Sequence, residues 1–465
     1  METVQPQQLG AKKLIKNENL FYIALFLNVL ITVMNTTMFN IAIPTISSHF
    51  QLSATLASWI VTCYSVVFAI GTVLYGRLSG IYPIKRLLTI GLCLLGIGSV
   101  IGMVANAYYL LLIARLLQAA GACSISALGM IMVTRYIPAE QKGAAMGKIA
   151  AASTLGFGLG PLFGGLLTEY FGWMFLFAIS LLGVLMIPIY RLNIPEESTK
   201  RDHFDVFGLI YLCLGAISLL LFITTENVGF IFGILSILLF WRHINRVDHP
   251  FIAPALLKTK PYVTILMIGF LVFFINFSVL FISPLLLATI HAVTVAKIGL
   301  LIFPGAICSA LISILLGKAL DSIGVVTIIG SGITSILIGA FLFSSFSYLS
   351  EWTILFFYLL SSLGFACITM GLPNFLSSFL PQEDFPSGFG ILQLLQFFGG
   401  ATGVSVSGKI LDMSATNTIA VNLFWNDTDA SFSNAYLLLV LLAIIALFVF
   451  AYFKHVKVGG IANER

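Results

Sequence analysis

"GRLSGIYPIKR", residues 76–86, is a short polar turn between two long apolar runs. It opens with a glycine and Arg77, contains Pro83, and closes on Lys85 and Arg86. "GKALDSIGVVT" (317–327) stands in the same relation to two later runs, 241 residues on, and also opens with a glycine and a basic residue. Apolar runs of about 20 residues recur between and around these turns, each long enough to cross a hydrocarbon core of about 30 Å. Fourteen spans are predicted: 20–44, 55–76, 87–105, 109–134, 143–168, 172–190, 206–225, 228–242, 261–288, 296–317, 326–346, 352–380, 387–411 and 433–453. The two turns lie eight spans apart. So do two glycine-rich spans, the fifth with "GFGLGPLFGG" (156–165) and the thirteenth with "FGGATGVSVSG" (398–408). An eight-span offset means two six-helix bundles with two extra helices between them. Internal repeats of this kind mark secondary transporters, whose sites lie near the bilayer midplane.

Composition agrees. Hydrophobic residues make up 59% of the 465 and charged residues only 9%, against about 25% charged in soluble domains. The expected class is an all-α polytopic membrane protein, since a β-barrel gives shorter, alternating segments. The first run follows Lys12, Lys13 and Lys16 as a signal peptide would. It is too long for an h-region and has no small-residue cleavage site, so it reads as a retained span. The six cysteines (63, 93, 123, 213, 308 and 367) all fall inside apolar runs, without metal or redox spacing. No metal, cofactor or nucleophile–base set is indicated, and no enzyme is expected. The net charge of +5 points to topology rather than to a nucleic-acid partner.

That topology follows from the 23 Lys and Arg residues. With the N-terminus cytoplasmic, twenty lie on or near the cytoplasmic side, only Lys297 and Lys409 lie outside, and Arg115 is embedded. This bias is the positive-inside pattern, and it places both termini in the cytoplasm. The expected division is a cytoplasmic N-terminus (1–19), an N-terminal six-helix bundle (20–190) and a linker with two extra helices (191–260). A C-terminal six-helix bundle (261–453) and a cytoplasmic tail (454–465) follow.

Several motifs resemble those of the major facilitator superfamily, in its fourteen-span drug/proton antiporter branch, which includes Gram-positive multidrug and tetracycline efflux pumps. "GRLSGIYPIKR" is similar to the signature between spans two and three. "ARLLQAAGA" (114–122) resembles the fourth-span R-x-x-Q-G-x-G pattern, and "GFGLGPLFGG" the fifth-span antiporter signature. "MNTTMFNIAIP" (34–44) resembles the first-span L-D-x-T-x-x-N-x-A-x-P pattern, and "SWIVTCY" (58–64) and "PAEQKGAAMG" (138–147) also match. The resemblance implies transport by alternating access and an antiporter hinge at Gly156, Gly160, Pro161, Gly164 and Gly165. It also places Arg115 beside a proton path. Close helix packing by small residues is the alternative reading of the glycines.

Candidate site residues follow. Arg115 lies inside span four, where a charge costs about 2.5–3.5 kcal/mol and usually faces a bundle interior or a wet cavity. Gln118 shares its face. Asn28, Asn35 and Asn40 form a polar stripe on span one that is expected to line a central cavity, and the stripe can satisfy Arg115. Asn276, Asn374, Gln393 and Gln396 are candidates for the facing wall. Lys85 and Arg86 are expected to meet Asp321 across the bundles as a cytoplasmic gate. The first turn has Gly80 where the family has aspartate, and the second has Val325 and Val326 where the family has its basic pair.

No acid lies well inside any span. Asn35 stands where the family has aspartate, and Phe157 where tetracycline antiporters carry glutamate. The proton-coupling candidates are therefore Glu226, Glu169 and Asp412 near outer span ends, with Arg115. The expected function is export of hydrophobic or amphipathic drugs by proton antiport, from a monomer in a bacterial cytoplasmic membrane, with small amphipaths, protons and lipid as partners. The alternatives are export of one endogenous metabolite or lipid, and a non-transporting sensor on the same fold.

Overall fold

The computed structural model describes residues 15–197, 205–225, 229–247, 254–378, 380, 385–414, 421–425 and 430–462. Only the backbone is described at 139–140, 142–144, 225, 229–230, 255–256, 314, 317–322, 385–387, 414 and 453–462. The described chain is helical. The first six spans are α1 (Glu18–Phe50), α2 (Ala54–Leu78), α3 (Ile84–Met103), α4 (Tyr108–Tyr136), α5 (Ala139–Phe171) and a sixth made of α6 (Leu176–Val184) and α7 (Ile187–Asn193). Then come α8 (Val206–Thr225), α9 (Gly229–Ile244) and the short α10 (Pro254–Leu257). The last six are α11 (Lys260–Thr289), α12 (Val295–Ile323), α13 (Val325–Phe346), α14 (Glu351–Ser377), α15 (Phe385–Ser414) and α16 (Ser431–Ala462).

Among the described residues thirteen helices are long and apolar enough to cross a membrane. The predicted eighth span is a helix of 16 residues, shorter than the rest. It lies against α8 and exposes Ile231, Phe232, Leu235 and Leu238, as lipid-facing residues do. The helices before and after this pair form two six-helix bundles.

Polar contacts between helix ends define the two faces of the molecule. Asn193 at the end of α7 accepts from Asn17 N at the start of α1, at 2.9 Å. Arg135 at the end of α4 donates to Ser79 O, just past α2, at 2.9 Å. Glu197 accepts from Ile84 N at the start of α3, at 3.1 Å. These ends share one face, here called basic because most of the described Lys and Arg side chains lie there. Gly165, near the far end of α5, packs beside Gly299 in the first turns of α12. Helix α12 therefore starts at the far face. Gly330 in α13 meets Phe450 near the end of α16, so the C-terminal helix ends on the basic face.

The bundles meet along α2–α15 and α5–α12, with α1 and α11 between. Glycines permit this closeness, because a backbone without Cβ lets helices approach in lipid. On α5 the glycines serve two partners. Gly156, Gly160 and Gly164 face α1, where a Cβ at Gly164 would lie 2.5 Å from Met38 O. Gly158 and Gly165 face α12 in the other bundle. Spacing along α5 also widens: a Cβ would lie 2.7 Å from Val295 O at Gly165, but 3.6 Å from Ile307 at Gly158. Along α5 the bundles are thus closer at Gly165, toward the far face, than at Gly158 in mid-helix.

Candidate functional site

Arg115 is fully buried, at 0% exposure. Its Nη1 donates to Asn35 Oδ1 at 2.5 Å and to Gln118 Oε1 at 3.1 Å, and its Nε to Ile60 O at 3.3 Å. The guanidinium lies 4.0 Å from the Phe39 ring centroid and 4.1 Å from that of Tyr64. Desolvated contacts of this kind contribute about 2 kcal/mol each. The network extends outward: Gln118 Nε2 donates to Ser99 Oγ at 2.9 Å and to Ser180 Oγ at 3.2 Å. Asn35 Nδ2 donates to Ser180 Oγ at 2.7 Å. One cation thereby ties α1, α2, α3, α4 and α6 together.

The structure corrects the expected wet stripe. Asn28, Asn35, Asn40, Arg115 and Gln118 are all 0% exposed and sit within the first bundle. Asn28 donates to Tyr190 OH at 3.2 Å, and Asn40 to Thr36 O one turn earlier at 3.1 Å. Asn28 Oδ1 and Asn40 Oδ1 have no partner among the described residues. A long arginine could satisfy itself inside the bundle because the acceptors it needs stand one helix away on two sides. Sequence reasoning found Arg115, Gln118 and Asn35 but missed Phe39, Tyr64, Ser99 and Ser180. Two of these lay inside matched stretches: Tyr64 in "SWIVTCY" and Phe39 in "MNTTMFNIAIP".

The facing wall is different. Asn276 and Gln393 are half-buried and make no side-chain hydrogen bond among the described residues. Gln396 is buried, with its Cγ packed near Gly269 of α11. Asn374 is exposed, and its Nδ2 donates to Met370 O of its own helix at 2.8 Å. The same helices carry aromatic rings: Phe273 precedes Asn276 by one turn on α11, and Phe397 follows Gln393 by one turn on α15. Phe68 of α2 meets Phe397 of α15 at 4.6 Å between centroids, and Phe397 meets Phe273 and Phe277 of α11 at 5.9 and 6.0 Å. Phe273 meets Phe365 of α14 at 5.0 Å, and Phe365 meets Phe157 of α5 at 6.2 Å. This belt begins and ends in the first bundle and passes through the second. All six rings are near the middle of their helices. The sequence analysis singled out only Phe157 among them, because 40 phenylalanines without a distinguishing period give no sign of which face inward.

The remaining candidates scatter to the faces. Lys85 Nζ lies 4.0 Å from Glu196 Oε1, whose side chain is 92% exposed. Arg86 is exposed. The side chain of Asp321 lies outside the described residues, as does all of Glu226. Glu169 is exposed and accepts from Ala296 N at 3.4 Å. Asp412 accepts from Ala54 N and Thr55 N, both at 2.8 Å. Pro161 lies inside an unbroken α5. An apolar cavity of about 800 Å³ opens between α2, α3, α4 and α8, lined by residues such as Val67, Leu94, Leu116 and Ile217, with Arg86 at its basic-face end.

Two packed six-helix bundles are the fold of known transporters, and comparison with known proteins agrees. The family model "Major Facilitator Superfamily" matches residues 25–404. The riboflavin transporter RibZ of Clostridioides difficile is 28% identical over 57% of this chain and 60% of its own length. The uncharacterized MFS-type transporter YwoD of Bacillus subtilis is 26% identical over 86% of this chain and 92% of that protein. The multidrug resistance protein Stp of Mycobacterium tuberculosis is 24% identical over 88% and 78%. In fold the chain is similar to a bacterial homologue of the human lysosomal transporter Spinster, with a TM-score of 0.66 at 13% identity over 92% of this chain and 95% of that one. It is likewise similar to a D-xylose–proton symporter, with a TM-score of 0.65 at 17% identity over 93% and 97%. The chain is an integral membrane transporter and belongs to the Major Facilitator Superfamily.

Proposed function

We propose that this protein is a secondary exporter of hydrophobic or amphipathic compounds, working by alternating access with the basic face in the cytoplasm of a bacterium. The observation that carries the reading is the phenylalanine belt joining both bundles at mid-height. It is an aromatic cluster at the seam of the bundles, five of its six rings buried in this state, and two underused amides, Asn276 and Gln393, lie on the helices that carry it. Such a cluster binds flat or greasy molecules through shape and ring contacts. No carboxylate among the described residues lies on the belt, and Arg115 is already engaged by three acceptors. A preference for dications is therefore not expected. The lateral cavity with Arg86 at its mouth suits amphipaths that reach the protein through the membrane.

Proton antiport is part of the proposal. Among the candidates Asp412 and Glu169 keep carboxylates at the far face, while Arg115 is held as a structural cation. Expression in a pump-deficient bacterium, challenged with a panel of unrelated amphipaths, should give protection against several. Proteoliposomes holding the protein and no internal substrate should release protons when one of these compounds is added outside. Transport that continues undiminished without a proton gradient and without a pH change would remove antiport.

A second reading is favoured by the riboflavin transporter among the relatives: export of one flat heteroaromatic metabolite. Protection of the pump-deficient host against no compound of the panel, together with flavin flux in proteoliposomes, would select it.

A further inference from the structure

Two acids at the far face stand in the same relation to the opposite bundle. Asp412, on the last turns of α15, caps the start of α2 through Ala54 N and Thr55 N at 2.8 Å each. One helical turn earlier, Gly408 admits that helix: a Cβ there would lie 2.7 Å from Ala54 O. Glu169, on the last turn of α5, accepts from Ala296 N at 3.4 Å in the first turn of α12. One turn earlier, Gly165 admits α12: a Cβ there would lie 2.7 Å from Val295 O. Ala54 and Val295 are each the first residue of their helix. Both contacts therefore read Gly-x-x-x-acid. The glycine takes the carbonyl of the entering helix's first residue, and the acid takes its first amides.

Accounting for the four amides at the start of α2 shows how much the contact supplies. Leu56 N goes to Ser53 Oγ and Ala57 N to Ser53 O, both local. Ala54 N and Thr55 N, the other two, depend on a residue 358 and 357 positions away in the other bundle. A helix N-terminus carries about half a positive charge, so an ionised acid is a stronger partner there than a neutral one. Below Asp412 the same seam continues with Thr62 Oγ1 to Ser405 Oγ at 3.0 Å and to Ala401 O at 3.3 Å.

We propose that Asp412 and Glu169 are a pseudo-symmetric pair of latches that hold the two bundles shut at the far face, and that releasing them is a step of opening there. The proposal rests on the bundles separating at that face during transport, but not on which compound is carried. The latches are unequal. Asp412 is half-buried and takes two amides at short distance, whereas Glu169 is exposed and takes one at 3.4 Å. Asp412 sets the strength of closure and Glu169 adds to it.

The test is a distance measurement across the far face. Spin labels at Val104 and Leu349, exposed at 69% and 58% on opposite bundles, are placed in the full chain with its native cysteines replaced. Asp412→Asn should shift the closed-to-open ratio about tenfold or more toward a longer distance. Glu169→Gln should shift it a few-fold, and the double variant furthest. An unchanged distribution in the double variant overturns the proposal. Lower thermal stability without any longer component does so as well, because it reduces the acids to local caps. If Asp412→Asn fails to fold, the exposed Glu169→Gln decides alone. A chain that protects against none of the drug panel yet shows the shift separates this proposal from the exporter reading.

Discussion

The two bundles solve the problem of a polar group in lipid in opposite ways. In the first, Arg115 is enclosed by acceptors on α1, α2 and α4 and by two rings, and each bond fixes one helix against another. In the second, the middle is built of phenylalanine, and Asn276 and Gln393 have no partner among the described residues. A saturated polar network has one good geometry, since any displacement orphans a buried group. An aromatic belt has many, since rings slide at little cost. The first bundle therefore reads as a rigid frame, and the second as the adaptable wall.

Arg115→Ala should strike hardest. It orphans Asn35 Oδ1 and Gln118 Oε1 at about 1–3 kcal/mol per acceptor, removes the contacts with the Phe39 and Tyr64 rings, and recovers about 2.5–3.5 kcal/mol of charge burial, while Ile60 O keeps its partners within α2. A net loss of about 2–4 kcal/mol is expected, read as a lower unfolding temperature in detergent. Arg115→Lys should rescue little, because a point charge cannot serve a fork of acceptors or stack between two rings. Full stability of the alanine variant would abolish the contrast between the bundles.

Asn35→Leu comes next, at about 1.5–3 kcal/mol for one hydrogen bond to a charged group. Asn35→Asp should retain most stability, because it keeps the oxygen facing Arg115 and loses only the donor to Ser180. The same unfolding assay checks both. In the second bundle, Phe365→Leu, which removes the ring but keeps most of the buried volume, should alter export more than stability. Resistance to some panel compounds should fall about tenfold, equivalent to about 1.4 kcal/mol, while others change little. A uniform loss across the panel would mean that the ring only packs. Asn276→Ala should have the smallest effect on folding, below about 0.6 kcal/mol, the average for an interhelical hydrogen bond in a membrane, since it breaks no described bond. Any effect should appear in the compound profile instead.

The fold was readable wherever one helix suffices to read it. Apolar runs gave the spans, and the spacing of "GRLSGIYPIKR" and "GKALDSIGVVT" gave the two bundles. Arg115 and Gln118 were readable as a pair because three residues along one helix share a face. The Phe39–Tyr64 sandwich was not, since its rings come from two other helices. Nor was the belt, because inward and lipid-facing phenylalanines are chemically alike in a sequence whose surroundings are apolar on both sides. Asp412 was picked out as an acid, but its partners at Ala54 and Thr55 lie more than 350 residues away.

The brevity of α9 has a consequence for the surrounding lipid. Sixteen residues rise about 24 Å, against a hydrocarbon core of about 30 Å. A span of this described length is matched by local thinning of the bilayer or by snorkelling of its flanking residues, and Trp241 and Arg242 stand at its basic-face end. Hydrophobic mismatch of this kind costs a fraction of a kcal/mol per Å, so the transporter should settle more readily in membranes of short acyl chains than in thick ones.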